Sequence, residues 1–186
     1  MTKRAYIQNR KDETDQYASR EDFRRIFTED LDRLYQLSFL LTRDSQKAEQ
    51  CFVGGLEDCV AGNSVFREWA RSWAKRAIVQ NAIRELKPRP GLSNSPPSAA
   101  IFLDNDQLSR GPANHFKIDV VFGLEDYERF VFVMSVLEHY SEHDCAVLLE
   151  CSVSELREAR THALKELAAS LPIDRSQYQV FVQEKK

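Results

Sequence analysis

The chain has 186 residues, of which 42% are hydrophobic and 30% are charged, and its formal net charge is −3. This length accommodates one medium domain or two small ones, and the composition is typical of a globular protein. No apolar run reaches the length of a membrane span and residues 1–16 lack a signal-peptide core, so we expect a cytoplasmic protein with no membrane insertion. The net acidity excludes binding of nucleic acid over the whole surface, so any such binding must be local.

The first third of the chain predicts two helices. Residues 1–18 are polar and mixed in charge, which predicts disorder. Ser19 can cap a first helix whose apolar stripe runs from residue 23 to residue 41. A second helix begins at Asp44, and Gly54-Gly55 is expected to bend or break it, because each Gly costs roughly 1 kcal/mol relative to Ala inside a helix.

The third predicted helix, residues 64–87, is the basic part of the chain. Ser64 can cap it, and Pro88 and Pro90 end it. Residues 64–90 contain seven cations and two acids, a net charge of +5. The cations fall into two stripes at helical spacing: Arg67, Arg71 and Lys75 in one, and Arg76, Arg84 and Lys87 in the other. Such a helix favours phosphate binding, although a solvated helix face has the same pattern.

Proline, glycine and serine are concentrated after residue 87, which predicts a linker over residues 88–118. The linker would separate an N-terminal helical bundle at 19–87 from a C-terminal helical domain at 119–170. A tail follows at 171–186.

The C-terminal part predicts two helices joined by a tight turn. Ser141 can cap the first, and Ser152 with Glu155 can form a capping box for the second. This outline is typical of a helix-turn-helix that places its second helix in a DNA major groove, although a plain helical hairpin remains the alternative. Residues 119–151 carry a net charge of −7 and residues 152–168 carry none, so the domain should bind DNA weakly by itself.

The sequence offers little for catalysis or metal binding. No Ser/His/Asp set, paired carboxylates or phosphate-binding Gly loop is evident, so we expect no enzymatic activity and no cofactor. His139 and His143 lie four residues apart near Cys145, but a fourth ligand is missing, so we predict no metal site.

Taken together, these segments resemble the extracytoplasmic-function sigma factors, the group IV sigma factors of RNA polymerase. The likeness covers most of residues 21–87 and 120–168. The positions that match the family pattern are Ala48, Glu49, Trp69, Ala74 and Arg84. The positions that depart from it are Gln50, Val53 and Gly54 in the usually acidic clamp-binding run, Arg76 and Gln80 in the third helix, and Glu150 in the turn. The chain therefore looks like a diverged member.

The resemblance implies an all-α, DNA-binding factor that associates with core RNA polymerase and directs promoter recognition and transcription initiation. An anti-sigma factor is a further candidate partner. The implied polymerase-binding residues are Asp32, Tyr35, Glu49, Gln50 and Val53. The implied contacts with promoter DNA are Asn63, Ser64, Phe66, Trp69, Arg71, Lys75, Arg76 and Arg84 in the first domain, and Ser154, Arg157, Glu158, Arg160, Thr161 and Lys165 in the second.

The departures keep a second hypothesis open. A sigma-like interaction module could have lost promoter binding and could regulate transcription through protein partners alone. The missing acidic clamp motif and the acidic C-terminal part favour this alternative, whereas the two-domain layout and the basic helix favour a working sigma factor.

Overall fold

The computed structural model describes residues 16–62, 64–91 and 118–170. Within those ranges the regular elements are helical, which confirms the all-α prediction. The α-helices are α1 (Arg20–Glu29), α2 (Leu31–Thr42), α3 (Ser45–Ala61), α4 (Ala70–Leu86), α5 (Ile118–Gly123), α6 (Asp126–Phe132), α7 (Glu142–Leu149) and α8 (Val153–Ser170). The predictions for the N-terminus before residue 16, for Asn63, for most of the linker and for the tail lie outside the described residues.

The first predicted helix is divided in two. Ser19 caps α1 as expected, and it forms a capping box with Asp22 there. The single stripe expected from residue 23 to residue 41 is interrupted at Asp30, whose backbone (φ −103°, ψ 21°) leaves the helical conformation between α1 and α2. The break lets both short helices turn their apolar faces, including Phe23 and Leu34, into the same core.

The paired glycines do not break α3, which runs unbroken from Ser45 to Ala61. They allow α4 to cross closely instead. A Cβ atom on Gly55 would lie 2.8 Å from Cγ1 of Ile78 and 3.2 Å from its backbone nitrogen, and one on Gly54 would lie 2.6 Å from Oδ1 of Asn81. Buried Ala74 and Ala77 keep the facing side of α4 equally small. The packing of α3 on α4 therefore requires glycine at position 55.

The basic helix begins later than predicted. Ser64 does not cap it, because residues Arg67–Trp69 form a 3₁₀ turn and the α-helix starts at Ala70. Its end agrees with the prediction, since Lys87 adopts a left-handed conformation (φ 48°) just before Pro88. The 3₁₀ turn displaces the first aromatic residues of the segment from the α-helical register.

The C-terminal helices follow the predicted caps. Ser141 accepts a hydrogen bond from the backbone N–H of Asp144, and Ser152 and Glu155 bond reciprocally at the start of α8. Between α6 and α7 the chain forms a π-helical turn at Val133–Leu137. Three residues separate α7 from α8, and Glu150 among them adopts a left-handed conformation (φ 52°), which is strained for a residue other than glycine.

A fully buried arginine connects the N-terminal helices with the C-terminal ones. The Arg129 guanidinium donates through Nε and Nη2 to the carbonyl of Leu41 at 3.2 and 3.0 Å, and through Nη1 to the carbonyl of Leu124 at 3.2 Å. Nη2 also donates to Oδ1 of Asp126 at 2.7 Å. Burial lowers the pKa of Arg129 to about 10, so the group remains charged at neutral pH. Its charge therefore caps the carboxyl end of α2.

Arg43 makes a second link at the same place. It donates to the carbonyl of Phe122 at 2.7 Å and to Oδ1 of Asp126 at 3.2 Å, so one carboxylate oxygen serves both arginines. The rings of Phe39 and Phe122 pack edge to face with centroids 5.3 Å apart. A continuous cluster of buried side chains runs through both groups of helices. No helix in the described ranges combines the length and the apolar character that a membrane span needs.

Replacing Gly55 with alanine should destabilise the protein by about 1–3 kcal/mol, because the added methyl group overpacks the crossing with α4. Helix propensity alone would give the opposite sign, a gain of about 1 kcal/mol. Urea unfolding measures the difference. Gly123→Ala is the matched control, since nothing lies within 4 Å of the position that its Cβ would occupy. A Gly55→Ala protein as stable as the wild type would contradict the close crossing.

Replacing Arg129 with methionine should lower the free energy of unfolding by about 3 kcal/mol, because the buried carbonyl of Leu41 loses its donors. Amide exchange in the last turn of α2 should accelerate together with the loss of stability. Arg33→Met, at an exposed position of the same helix, is the control and should change stability by less than about 0.5 kcal/mol. Equal stability of the two variants would show that Arg129 is dispensable.

Candidate nucleic-acid interface

Three aromatic side chains are exposed around the start of α4. Phe66, Trp69 and Trp73 have 37%, 56% and 41% of their surface accessible. Phe66 and Trp69 meet edge to face with ring centroids 5.1 Å apart. The ring of Tyr17 stacks on Phe66 at 4.8 Å, held by a hydrogen bond from the Ala18 N–H to the carbonyl of Val65. Trp69 therefore offers the most open face on which a nucleic-acid base could stack.

A charged groove of about 470 Å³ lies beside these rings, between α1 and the start of α4. Arg25 and Arg67 both pair with Asp22, at 2.8 and 3.3 Å. Hydrogen bonds from Ser19 hold the pKa of the Asp22 carboxyl below its usual value, and Arg67 and Arg25 add to the effect. Arg71 pairs with Glu29 at 2.7 Å and with Asp30. The arginines of the groove are thus already paired with acidic side chains, which belong to α1 and to Asp30 directly after it.

The remaining predicted phosphate-binding cations of α4 are also paired. Arg84 pairs with Asp58 of α3. Lys75 reaches across to Glu138, with 2.6 Å between Nζ and Oε2, and Arg76 lies 3.6 Å from Oδ1 of Asp144. Arg71, Lys75, Arg76 and Arg84 do lie on one helix as predicted, but acidic side chains meet each of them. Phosphates would have to displace these carboxylates, and two of them belong to the C-terminal part.

On α8, one carboxylate binds both arginines that the family resemblance implies as DNA contacts. Glu142 of α7 accepts from Nε and Nη2 of Arg157 at 3.0 and 2.8 Å, and from Nη2 of Arg160 at 2.8 Å. These hydrogen bonds, that of Arg157 first, hold the pKa of the Glu142 carboxyl below its usual value. Two candidate DNA contacts therefore depend on a single neighbouring acid.

The other predicted residues of α8 are exposed, with local partners for most of them. The Ser154 hydroxyl donates to Glu158 at 3.4 Å, and the Thr161 hydroxyl donates to the carbonyl of Arg157 at 2.8 Å. Lys165 is exposed on the same helix. These residues lie on one helix, as the sequence predicts, and among them Lys165 lacks a described hydrogen-bond or ion-pair partner.

The predicted polymerase-binding residues lie on α2 and α3. Asp32, Glu49, Gln50 and Val53 are exposed, whereas Tyr35 is half-buried against the ring of Phe52. Ser64 is exposed in the segment before the 3₁₀ turn, and Asn63 lies outside the described residues.

The sequence reasoning missed an acidic cluster between α6 and α8. His162 Nδ1 lies 2.7 Å from Oε1 of Glu128, and the ligand atoms of Glu128, His162 and Glu166 all lie within 4.8 Å of one another. Among the described residues, this group could share a cation, whereas the group around His139 and Cys145 is not brought together in this way. Glu128 and His162 lie 34 positions apart along the chain on different helices, so sequence spacing could not reveal the cluster.

The buried thiols show no sign of reactivity. Burial raises the pKa of Cys51 and of Cys145 to about 11 and that of Cys59 to about 12. These three cysteines therefore remain protonated at neutral pH and act as small apolar side chains.

No family model matches the chain, and no curated protein matches it. Among solved structures, it is similar to the sigma factor RpoE of Bartonella quintana, crystallised in complex with the anti-sigma factor NepR. The two chains are 17% identical, with a TM-score of 0.48 over 83% of this chain and 99% of the other.

Releasing Lys75 and Arg76 should strengthen binding of single-stranded DNA. The double variant Glu138→Gln/Asp144→Asn removes both acids, and two freed cations should steepen the dependence of log affinity on log salt by about 1.4, at about 0.7 per phosphate contact. Fluorescence anisotropy across a salt series measures this slope. Glu57→Gln/Asp119→Asn changes the net charge equally at exposed sites elsewhere and is the control. Identical slopes for the two double variants would refute the occlusion of α4.

Proposed function

We propose that the chain is a sigma factor that associates with core RNA polymerase and directs promoter recognition and transcription initiation. The observation that carries this proposal is the exposed aromatic surface of Phe66, Trp69 and Trp73 at the start of the cationic helix α4. Stacking faces beside cations are what capture of single-stranded DNA requires.

In this proposal the helices have different binding roles, which we infer from their exposed side chains. Phe66 and Trp69 would stack bases of a melted strand, while Arg71, Lys75, Arg76 and Arg84 would hold its phosphates. The exposed acids of α2 and α3, Asp32 and Glu49 with Gln50 and Val53 beside them, would face the polymerase. Helix α8 would read duplex DNA through the set around Arg157, after Glu142 has been displaced.

The closed arrangement supports a role for the polymerase in activation. The pairs Lys75–Glu138 and Arg76–Asp144 tie α4 to the C-terminal helices, and both pairs are at least partly exposed to solvent. Exposed ion pairs contribute about 1 kcal/mol or less each, so binding of the polymerase could break these two pairs and release Lys75 and Arg76 while the buried contacts of Arg129 persist. Promoter binding would then follow assembly rather than precede it.

Affinity purification with core RNA polymerase, followed by run-off transcription on genomic fragments, tests the proposal. We expect stoichiometric association and discrete transcripts that depend on the chain. Glu49→Lys should weaken the association, while Glu57→Lys, at another exposed position of α3, should not. Failure of the wild-type chain to bind core polymerase would refute the proposal.

A specific observation favours a second candidate function, a sigma-like module that acts only through protein partners. Every arginine of α4 and α8 that the sequence assigns to DNA has an acidic partner within the described residues. Polymerase association without transcripts, or transcripts that are insensitive to substitutions in α4, would favour this alternative over the first.

Replacing Trp69 with alanine should reduce affinity for single-stranded DNA at least about fivefold, since a base stacked on an aromatic side chain contributes about 1–3 kcal/mol. Because 56% of the Trp69 surface is exposed, stability should hardly change. Trp69→Phe retains a stacking face and serves as the control. Anisotropy of a labelled oligonucleotide measures the three affinities, and equal binding by the alanine variant would exclude Trp69 from the interface.

A further inference from the structure

One short acidic segment contacts both helices that carry the candidate DNA-binding residues. This segment, residues 138–144, joins the π-helical turn to the first turn of α7. Its three carboxylates belong to Glu138, Glu142 and Asp144, and it contains neither lysine nor arginine. Glu138 and Asp144 pair with cations of α4, while Glu142 pairs with cations of α8. The segment therefore links the two candidate DNA-binding helices.

On the α8 side, a single carboxylate takes the place that a phosphate would occupy. Glu142 accepts three hydrogen bonds from Arg157 and Arg160, at 2.8 and 3.0 Å for the first and 2.8 Å for the second, and each of its two oxygens serves one arginine. A phosphate accepts charge-assisted hydrogen bonds from the same guanidinium groups. At these donors, contact with Glu142 and contact with phosphate therefore exclude each other.

On the α4 side, the same segment covers the middle of the basic helix. Lys75 Nζ lies 2.6 Å from Oε2 of Glu138, and Arg76 lies 3.6 Å from Oδ1 of Asp144. The other two arginines of α4 that are predicted to bind phosphate pair with acids of the N-terminal part instead. The position of the acidic segment therefore determines whether Lys75 and Arg76 are accessible to phosphate.

The backbone around the acidic segment is irregular. The π-helical turn Val133–Leu137 precedes it, and His139 within it adopts a left-handed conformation (φ 56°), which is strained for a residue other than glycine. Such irregularities are frequent at functional sites and in elements that move. Cys145, directly after the segment, is fully buried. A change of position would therefore be confined to the segment, and its three acids would move together.

We propose that residues 138–144 form an autoinhibitory element that covers cations of α4 and of α8 together and releases them together. When Glu142 leaves Arg157 and Arg160, the segment loses its contact with α8. Its contacts with α4 then weaken, because the same short stretch of backbone carries them. Opening on either side thus favours opening on the other, which is positive coupling between two sites. The inference rests on the proposed function in one respect, since it takes DNA as the ligand of both helices.

Acetylation of Lys75 in the full chain tests the coupling without DNA. No described contact joins Glu142 to Lys75, yet we expect Glu142→Ala to accelerate acetylation of this lysine by succinimidyl acetate at least about twofold, the protection that an exposed ion pair gives. Mass spectrometry measures the rate, with exposed Lys165 as the internal reference. His143→Ala, at an exposed position in the same turn of α7, is the matched control and should leave the rate unchanged.

Binding of a labelled, mixed-sequence DNA duplex tests the inhibition. Glu142→Ala should strengthen binding and steepen the dependence of log affinity on log salt by about 1.8, at about 0.9 for each of the two arginines that it frees. Fluorescence anisotropy across a salt series measures this slope. Glu57→Gln removes one negative charge at an exposed position of α3 and is the control for net charge.

Each result decides a separate part of the proposal. An unchanged acetylation rate of Lys75 in Glu142→Ala would overturn the coupling and would leave the proposed function untouched. Equal duplex binding by Glu142→Ala and Glu57→Gln would overturn the inhibition of α8. Failure of the proposed function would show separately, as a wild-type chain that does not bind core polymerase. If Glu142→Ala does not fold, Glu142→Gln, which keeps the shape of the side chain, takes its place in both experiments.

Discussion

The arrangement of this protein depends on a buried guanidinium at the carboxyl end of α2. The last carbonyls of a helix lack intrahelical donors, and Arg129 supplies them from α6 while Asp126 balances its charge. A charged group buried at this depth is tolerated only with a counter-ion and hydrogen bonds, and four bonds from Arg129 meet this need, so the position of α6 relative to α2 is narrowly fixed. The π-helical turn Val133–Leu137 continues from α6, and Glu138 at the end of this turn lies against Lys75 of α4. The occlusion of the basic helix is thus a consequence of how α2 is capped.

Any binding of nucleic acid by α4 would therefore compete with contacts inside the chain. The salt links across α4 are exposed, so they add little stability, and salt screens them as it screens phosphate binding. The buried bonds of Arg129 and the apolar contact of Phe39 with Phe122 resist separation far more strongly. The exposed ion pairs determine whether the cations of α4 bind carboxylates or phosphates. The buried contacts determine whether the N-terminal and C-terminal helices can separate. A protein partner that only neutralised surface charge would not open the structure.

Local features of the fold could be predicted from the sequence, and features set by tertiary contacts could not. Capping pairs such as Ser19 with Asp22 or Ser152 with Glu155 lie three residues apart, so spacing reveals them. The glycines of α3 were expected to bend or break the helix, because the sequence does not show that Ile78 of α4 approaches them. Of the predicted basic stripes, Arg71, Lys75, Arg76 and Arg84 do lie on one helix, α4. Its acidic partners come from segments up to 68 positions away, and no local pattern identifies them.

The two sides of α8 place opposite demands on a partner. Around Arg157 a phosphate must displace Glu142, while an acidic pocket lined by Glu155 and Glu158 repels phosphate outright. Residues 152–168 carry no net charge, so this surface would attract phosphate only after Arg157 and Arg160 are released from Glu142.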